Sequence, residues 1–265
     1  MKAILFILSL NFCFLANAQS PLAIQRKPLA LQKVSYKSRI PVAVSRVKPR
    51  IAKSCFWGTF RLKSNTPIYG IHLYNPDAKQ GQKSAGFKQK QRFALDVFLM
   101  RSAKDGRITS KLINLLALDY PSRTWGVSKY AVSWTWVDSQ TQKFPVFKID
   151  VWATDGVYGE IGDNVFVSFP QGLAEKASVQ SLDFGSWHAS DYSAQENTLV
   201  TGVDGQTEIF VKLAPSTSEL TAEQEIESYQ FTLRWDAERA KFLPDENAKR
   251  VIGQFTWMNS VIEKW

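Results

Sequence analysis

A period of two in the apolar pattern constrains this chain more than any other feature. From Lys129 to Val137, the side chains of Tyr130, Val132, Trp134 and Trp136 point one way and those of Ala131, Ser133 and Thr135 the other. Successive side chains of an extended strand leave opposite faces of a sheet, so the pattern predicts a strand with one buried face. The same period recurs in Phe93 to Met100, in Phe147, Ile149 and Val151, and in Tyr229, Phe231, Leu233 and Trp235. Shorter strands are expected at Phe56 to Leu62, Ile68 to Tyr74 and Asn164 to Phe169. Asp105-Gly106 and Asp204-Gly205 stand between such runs, and each dipeptide suits the positive backbone dihedrals of a tight hairpin turn. Thr198 to Leu213 reads as the clearest hairpin.

Strands that follow one another through short turns, with few helices between them, predict antiparallel sheets. The expected fold class is mainly β, an antiparallel sandwich or partly closed barrel. The end of the chain departs from this pattern, since Val251, Phe255, Met258, Ile262 and Trp265 recur at helical spacing behind Pro244-Asp245-Glu246. That stripe predicts a C-terminal amphipathic helix packed on the sheet.

Lys2 followed by an apolar run from Ala3 to Leu15, and then Ala16-Asn17-Ala18, has the form of a secretory signal peptide cleaved between Ala18 and Gln19. Three segments are therefore expected: a signal peptide at 1–18, a linker at 19–54 and one globular β domain at 55–265. Of the two cysteines, Cys13 would leave with the peptide and Cys55 would remain, which excludes an intramolecular disulfide. The domain must then rest on its core, for which about 210 residues suffice. With no Asn-x-Ser/Thr sequon either, the expected destination is a bacterial periplasm or the extracellular medium.

The net charge of +9 is concentrated at the front. Arg26, Lys27, Lys33, Lys37, Arg39, Arg46, Lys48, Arg50 and Lys53 lie between Gln19 and Ser54 with no acid among them, whereas the rest of the mature chain is nearly neutral. With Pro21, Pro28, Pro41 and Pro49 in the same stretch, residues 19–54 read as a flexible or partly extended basic linker. Such an arm suits anionic partners: an anionic membrane surface, lipopolysaccharide or acidic polysaccharide. Nucleic acid is a poor partner for an exported protein.

Nine tryptophans make the domain aromatic-rich, and indole faces stack on sugar rings. Trp134, Trp136 and Trp235 sit in register with aliphatic neighbours and read as core. Trp125 and Trp187 stand in Gly- and Ser-containing stretches that suit loops, which makes them the candidate ligand-binding residues for a polysaccharide or peptidoglycan. For catalysis, the weak candidates are His188 and Asp191, next to Ser186 and Ser190, and the loop carboxylates Glu160 and Asp163, whose pairing would suit a hydrolase or lyase. No nucleophile elbow, phosphate loop or dinucleotide fingerprint appears, so no cofactor is expected. Two distant histidines give no zinc spacing, and Gly202 to Glu208 reads as a plain turn rather than a calcium loop, so no metal is expected. The reading that follows is an exported, non-enzymatic binding or envelope-associated protein.

Overall fold

The computed structural model describes residues 26–41, 44, 53–75, 92–104, 107–119, 126–154, 160–182, 192–215 and 229–252. Among the described residues fifteen strands form three antiparallel sheets, followed by a short C-terminal helix. The first sheet runs in the order β3 (Ser35–Tyr36), β4 (Lys53–Phe60), β5 (Ile68–Asn75), β6 (Arg92–Ser102) and β7 (Ile108–Asp119). The middle sheet runs β2 (Gln32–Lys33), β8 (Gly126–Asp138), β9 (Lys143–Thr154), β10 (Glu160–Ser168) and β11 (Ser178–Leu182). The third runs β1 (Lys27–Pro28), β12 (Tyr192–Thr201), β13 (Thr207–Pro215), β14 (Tyr229–Asp236) and β15 (Lys241–Pro244). Among the described residues no sheet closes into a barrel, and the architecture is that of a β-sandwich with a C-terminal helix.

Alternation along β8, β9 and β10 divides the middle sheet between two cores. Val132, Trp134, Phe147, Ile149, Val165 and Val167 pack against Phe56, Phe60, Ile71, Leu73 and Leu95 of the first sheet. On the opposite face Val137, Phe144, Val146 and Phe166 pack against Leu199, Ile209, Val211 and Phe231 of the third. The middle sheet is thus covered on both faces at one end, which is why Ser133 and Thr135 are buried although they alternate with the apolar set. Farther along the same face Lys148, Asp150 and Asn164 form a half-buried cluster, with Asp150 Oδ1 accepting from Asn164 Nδ2 at 2.6 Å and 3.1 Å from Lys148 Nζ.

The predicted helix begins where expected. Helix α1 (Glu246–Ile252) is capped by Asp245, whose carboxylate accepts from the amide of Ala248 at 2.7 Å, and its Ala248, Val251 and Ile252 enter the second core. Phe255, Met258, Ile262 and Trp265 lie outside the described residues.

The hairpin of β12 and β13 forms, but not with the two-residue turn expected of Asp204-Gly205. Gly202 N donates to Gln206 O at 2.7 Å and Gly205 N to Gly202 O at 3.1 Å. Only Gly205 of the pair has positive φ, at 78°. A three-residue loop of this kind, a type I turn closed by a left-handed residue, needs a single glycine where the tighter turn needs two permissive residues. Asp105-Gly106 lies outside the described residues.

The largest departure from expectation is the basic linker. Residues 26–37, part of the stretch read as flexible or partly extended, form an extended strap along the edges of all three sheets. Lys27 and Pro28 pair with Thr201 and Val200, Gln32 and Lys33 with Trp134 and Ser133, and Ser35 and Tyr36 with Thr59 and Gly58. Further backbone bonds join Leu29 N to Leu199 O, Val34 N to Val132 O and Lys37 N to Trp57 O, at 2.9, 3.0 and 2.9 Å. Leu29 and Leu31 pack on the second core and Val34 is buried in the first. The strap holds because an open sheet edge offers unpaired N–H and C=O groups to any extended chain. Those groups bond irrespective of side chain, so charge and proline content do not forbid the pairing.

The leading end of the strap is held by charge. The Glu208 side chain is only 3% exposed, with Arg234 Nε 2.9 Å from Oε1 and Arg26 Nε 3.7 Å from Oε2. Neither contact has hydrogen-bond alignment, so the attraction is chiefly Coulombic. The Arg26 guanidinium also lies over the Phe210 ring, 5.5 Å from its centroid. Arg26→Met is expected to cost about 1 kcal/mol, because the nearer Arg234 remains. Native-state hydrogen exchange should quicken at the Leu29 amide while the Val34 amide, bound to the middle sheet, stays protected. Equal acceleration at both would show that the strap opens as one unit.

Candidate binding surface

Two clusters of polar side chains stand out, and they differ in access. The first is on the outer face of the first sheet. His72 on β5 and Asp96 on β6 are directly opposed across the ladder and both are fully buried. The Tyr74 hydroxyl lies 3.4 Å from Asp96 Oδ1, its ring stacks on His72 at 4.9 Å between centroids, and Trp57 meets His72 edge-on at 6.1 Å. Ile40 and Val44, just beyond the strap, pack over the adjoining Trp57, Phe98 and Met100. His72 and Asp96 are closed to solvent and Trp57 nearly so, and the cluster offers no open surface to a ligand. The cluster therefore orders this face of the sheet.

The second cluster is open. Strap and first sheet border a cleft of about 450 Å³ lined by Gln32, Thr59, Phe60, Arg61, Leu62 and Lys63, among others. The turn between β4 and β5 is braced from within, since Arg61 Nη1 donates to Thr66 O and Thr66 Oγ1 both accepts from Lys63 N and donates to Lys63 O. Along the strap stand Lys33, Lys37 and Arg39, exposed like Arg61 and Lys63 in the turn. None of these five cations has an ion-pair partner among the described residues. Tyr36, between Lys33 and Lys37 in the chain and alternating with them, is 63% exposed, with its inner side against Phe56 at 5.7 Å between ring centroids. Lys33 and Lys37 are about 13 Å apart along an extended chain. The strap and the adjoining turn thus carry five exposed cations beside an open cleft, with one aromatic ring presented to solvent.

The residues singled out by sequence fall elsewhere. Trp125, Trp187, His188 and Asp191 lie outside the described residues, as do Ala18 and Gln19. Glu160 and Asp163 belong to β10, opposite Thr154 and Val151 in the ladder, rather than to the loop in which they were expected, and their side chains are outside the described set. Of the tryptophans, Trp57 and Trp134 are buried and Trp136 and Trp235 half-buried against core residues, while the side chain of Trp152 on β9 lies outside the described set. In the Gly202 to Glu208 turn the two carboxylates are engaged separately: Asp204 accepts from Gln206 N at 3.0 Å and Nε2 at 2.9 Å, while Glu208 turns inward to the arginines. No group of three or more potential metal ligands occurs among the described residues.

Tyr36 was the residue that sequence reasoning passed over. Its signal was present in the alternation of Lys33, Ser35 and Lys37 with Val34 and Tyr36, five residues of strand pattern inside a segment dominated by charge. No helix among the described residues is long and apolar enough to cross a membrane, which says nothing of strands. No protein-family model matches this chain, and no curated protein or solved structure matches it either.

Proposed function

We propose that this chain is an exported, non-enzymatic binding protein of the cell envelope that holds an acidic polysaccharide along the strap. The observation that carries the reading is the set of exposed cations without ion-pair partners among the described residues, Lys33, Lys37 and Arg39 at the strap and Arg61 and Lys63 in the adjoining turn, together with the exposed ring of Tyr36. Carboxylate or sulfate groups complement the cations, and the apolar face of a sugar ring complements the tyrosine. An open cleft suits a polymer lying across it better than a small molecule that must be enclosed. Each exposed pair contributes less than about 1 kcal/mol, so affinity arises from several contacts to one chain.

The test is a titration of the purified protein with an acidic polysaccharide, such as polygalacturonate, beside a neutral glucan. Binding is expected for the acidic polymer alone and should weaken steeply with salt, because exposed charges are screened beyond about 8 Å at physiological ionic strength. The double substitution of Lys37→Glu with Arg39→Glu should weaken it at least tenfold, and Tyr36→Ala severalfold, with the thermal unfolding midpoint unchanged. Equal binding of the neutral glucan, or indifference to these substitutions, would contradict the reading.

A further inference from the structure

The first sheet presents a second basic surface, built from the tips of two hairpins at one end. Ile68 at the start of β5 pairs with Met100 near the end of β6, and Ser102 pairs with Ile108 at the start of β7. The β4–β5 turn and the β6–β7 turn therefore leave the sheet at the same end, with β5 and β7 separated by about 10 Å there. Arg101, Lys104 and Lys111 are exposed, and none has an ion-pair partner among the described residues. Asp105 lies outside the described residues, and even with it the stretch from Arg101 to Lys111 holds four cations against one acid. Arg61 and Lys63 of the neighbouring turn add to the same end.

This surface shares Ile68, Arg61 and Lys63 with the cleft beside the strap and adds Ile108, Arg101 and Lys104. Ile68 is 37% exposed and Ile108 51%. By the ladder both belong to the outer face of the sheet, the face opposite the core-directed Tyr69, Ile71 and Leu99. By the same ladder Arg101 and Lys111, opposite Thr109 and Leu99, leave the other face, so isoleucines and cations come together only at the end of the sheet, where a bilayer met end-on reaches both: charge for anionic headgroups, and aliphatic side chains for the acyl boundary beneath them. An acidic protein partner would also bury the isoleucines, and vesicles distinguish the two, since such a partner predicts no binding to lipid of either composition.

We infer that the two hairpin tips at this end of the first sheet, Ile68 and Ile108 with Arg101, Lys104, Arg61 and Lys63, dock on an anionic phospholipid bilayer. The contact is peripheral, since two side chains supply far less apolar area than a spanning segment needs. A cation held near an anionic bilayer strengthens partitioning about fivefold, so a handful of them with two shallow aliphatic anchors yields reversible attachment that salt weakens. The inference shares Arg61 and Lys63 with the polysaccharide reading, and the two are separated through the residues they do not share: Arg101, Lys104 and Ile108 on one side, Tyr36, Lys37 and Arg39 on the other.

Cosedimentation of the purified protein with phosphatidylcholine vesicles, with and without about a quarter phosphatidylglycerol, tests it. Binding is expected to the anionic vesicles only, falling at high salt. Arg101→Glu with Lys104→Glu should lower partitioning at least tenfold, and Ile108→Ser several-fold at a salt concentration where charge alone is screened. The Lys37→Glu, Arg39→Glu protein should keep partitioning within about threefold of the parent while losing the acidic polysaccharide. All these positions are exposed, and an unchanged unfolding midpoint checks that the fold is intact. Equal binding to neutral vesicles, no binding to either, or partitioning that ignores Arg101 and Lys104 would overturn the inference, and retained polysaccharide binding in that case would leave the proposed function standing. Vesicle binding without any affinity for the polysaccharide would do the reverse.

Discussion

Replacing Gln180 by alanine is expected to lower the free energy of unfolding by about 4 kcal/mol. Gln180 on β11 is buried, and its carboxamide imitates one rung of a sheet: Nε2 donates to Phe242 O at 2.7 Å and Oε1 accepts from Phe242 N at 3.0 Å. One side chain thereby joins the edge of the middle sheet to β15 of the third. Alanine removes both partners at once, and a buried backbone donor or acceptor left unsatisfied costs about 1–3 kcal/mol each. The methylene stem adds a cavity. Chemical denaturation of the purified variant measures the loss, and a change below about 1 kcal/mol would mean that water enters and replaces the amide. Gln180→Glu separates the two bonds. Its carboxylate still accepts from Phe242 N but faces a carbonyl oxygen, whereas the protonated form donates to it. Folding should thus raise the pKa of this carboxyl. The stability of the variant should be greatest below the unfolded value of about 4.3 and fall as the pH rises from there.

Gly70→Ala is the second large effect, at about 3 kcal/mol. A Cβ on Gly70 would overlap the far edge of the Trp57 indole on the neighbouring strand. An exposed tryptophan would swing aside, but Trp57 is 2% exposed and wedged edge-on against Phe98 at 5.9 Å and His72 at 6.1 Å between ring centroids. The added carbon must therefore displace a packed cluster or push β4 from β5, and overpacking of this kind costs about 1–3 kcal/mol or more. A double-mutant cycle with Trp57→Phe provides the check. The smaller ring leaves room for the methyl group, so the two losses should fall short of additivity by about 1 kcal/mol or more. Strict additivity would place the strain elsewhere.

Both predictions concern contacts between elements, and this is where reading along the sequence stops. The strands at Lys129 to Val137, Phe93 to Met100 and Tyr229 to Trp235 were legible because large apolar side chains recur at every second position on one face of each, whatever covers the other face. β7 was harder to read because the ladder shifts between Val97 and Phe98, so that Leu112 and Leu115, three apart, take the same face and Leu112 to Leu118 loses its alternation. Trp134 was rightly placed in a core by its aliphatic register, and by the same register Trp136 and Trp235 pack half-buried beside one. The burial of Ser133 and Thr135 was not foreseeable, since it depends on a third sheet lying over the far face. Of the proposed surface, the sequence displayed the cations but not their order. Nine cations and four prolines within residues 19–54 describe a chain that cannot build a core of its own, and they are silent on whether it borrows one.

The period of two by itself determined that this protein is an antiparallel β structure, and the capping signal at Asp245 determined where its helix starts. Both are local consequences of which side chains face water. Only the tertiary structure decided that the middle sheet serves two cores, that Gln180 joins it to the third sheet, and that a segment with the composition of a linker runs as a strap along three sheet edges. Those outcomes rest on backbone groups and on partners up to about 170 residues away, such as Lys27 beside Thr201. A backbone N–H carries no mark of its partner in the sequence, so the pairing that makes an ordered surface of this basic segment is written only in the fold.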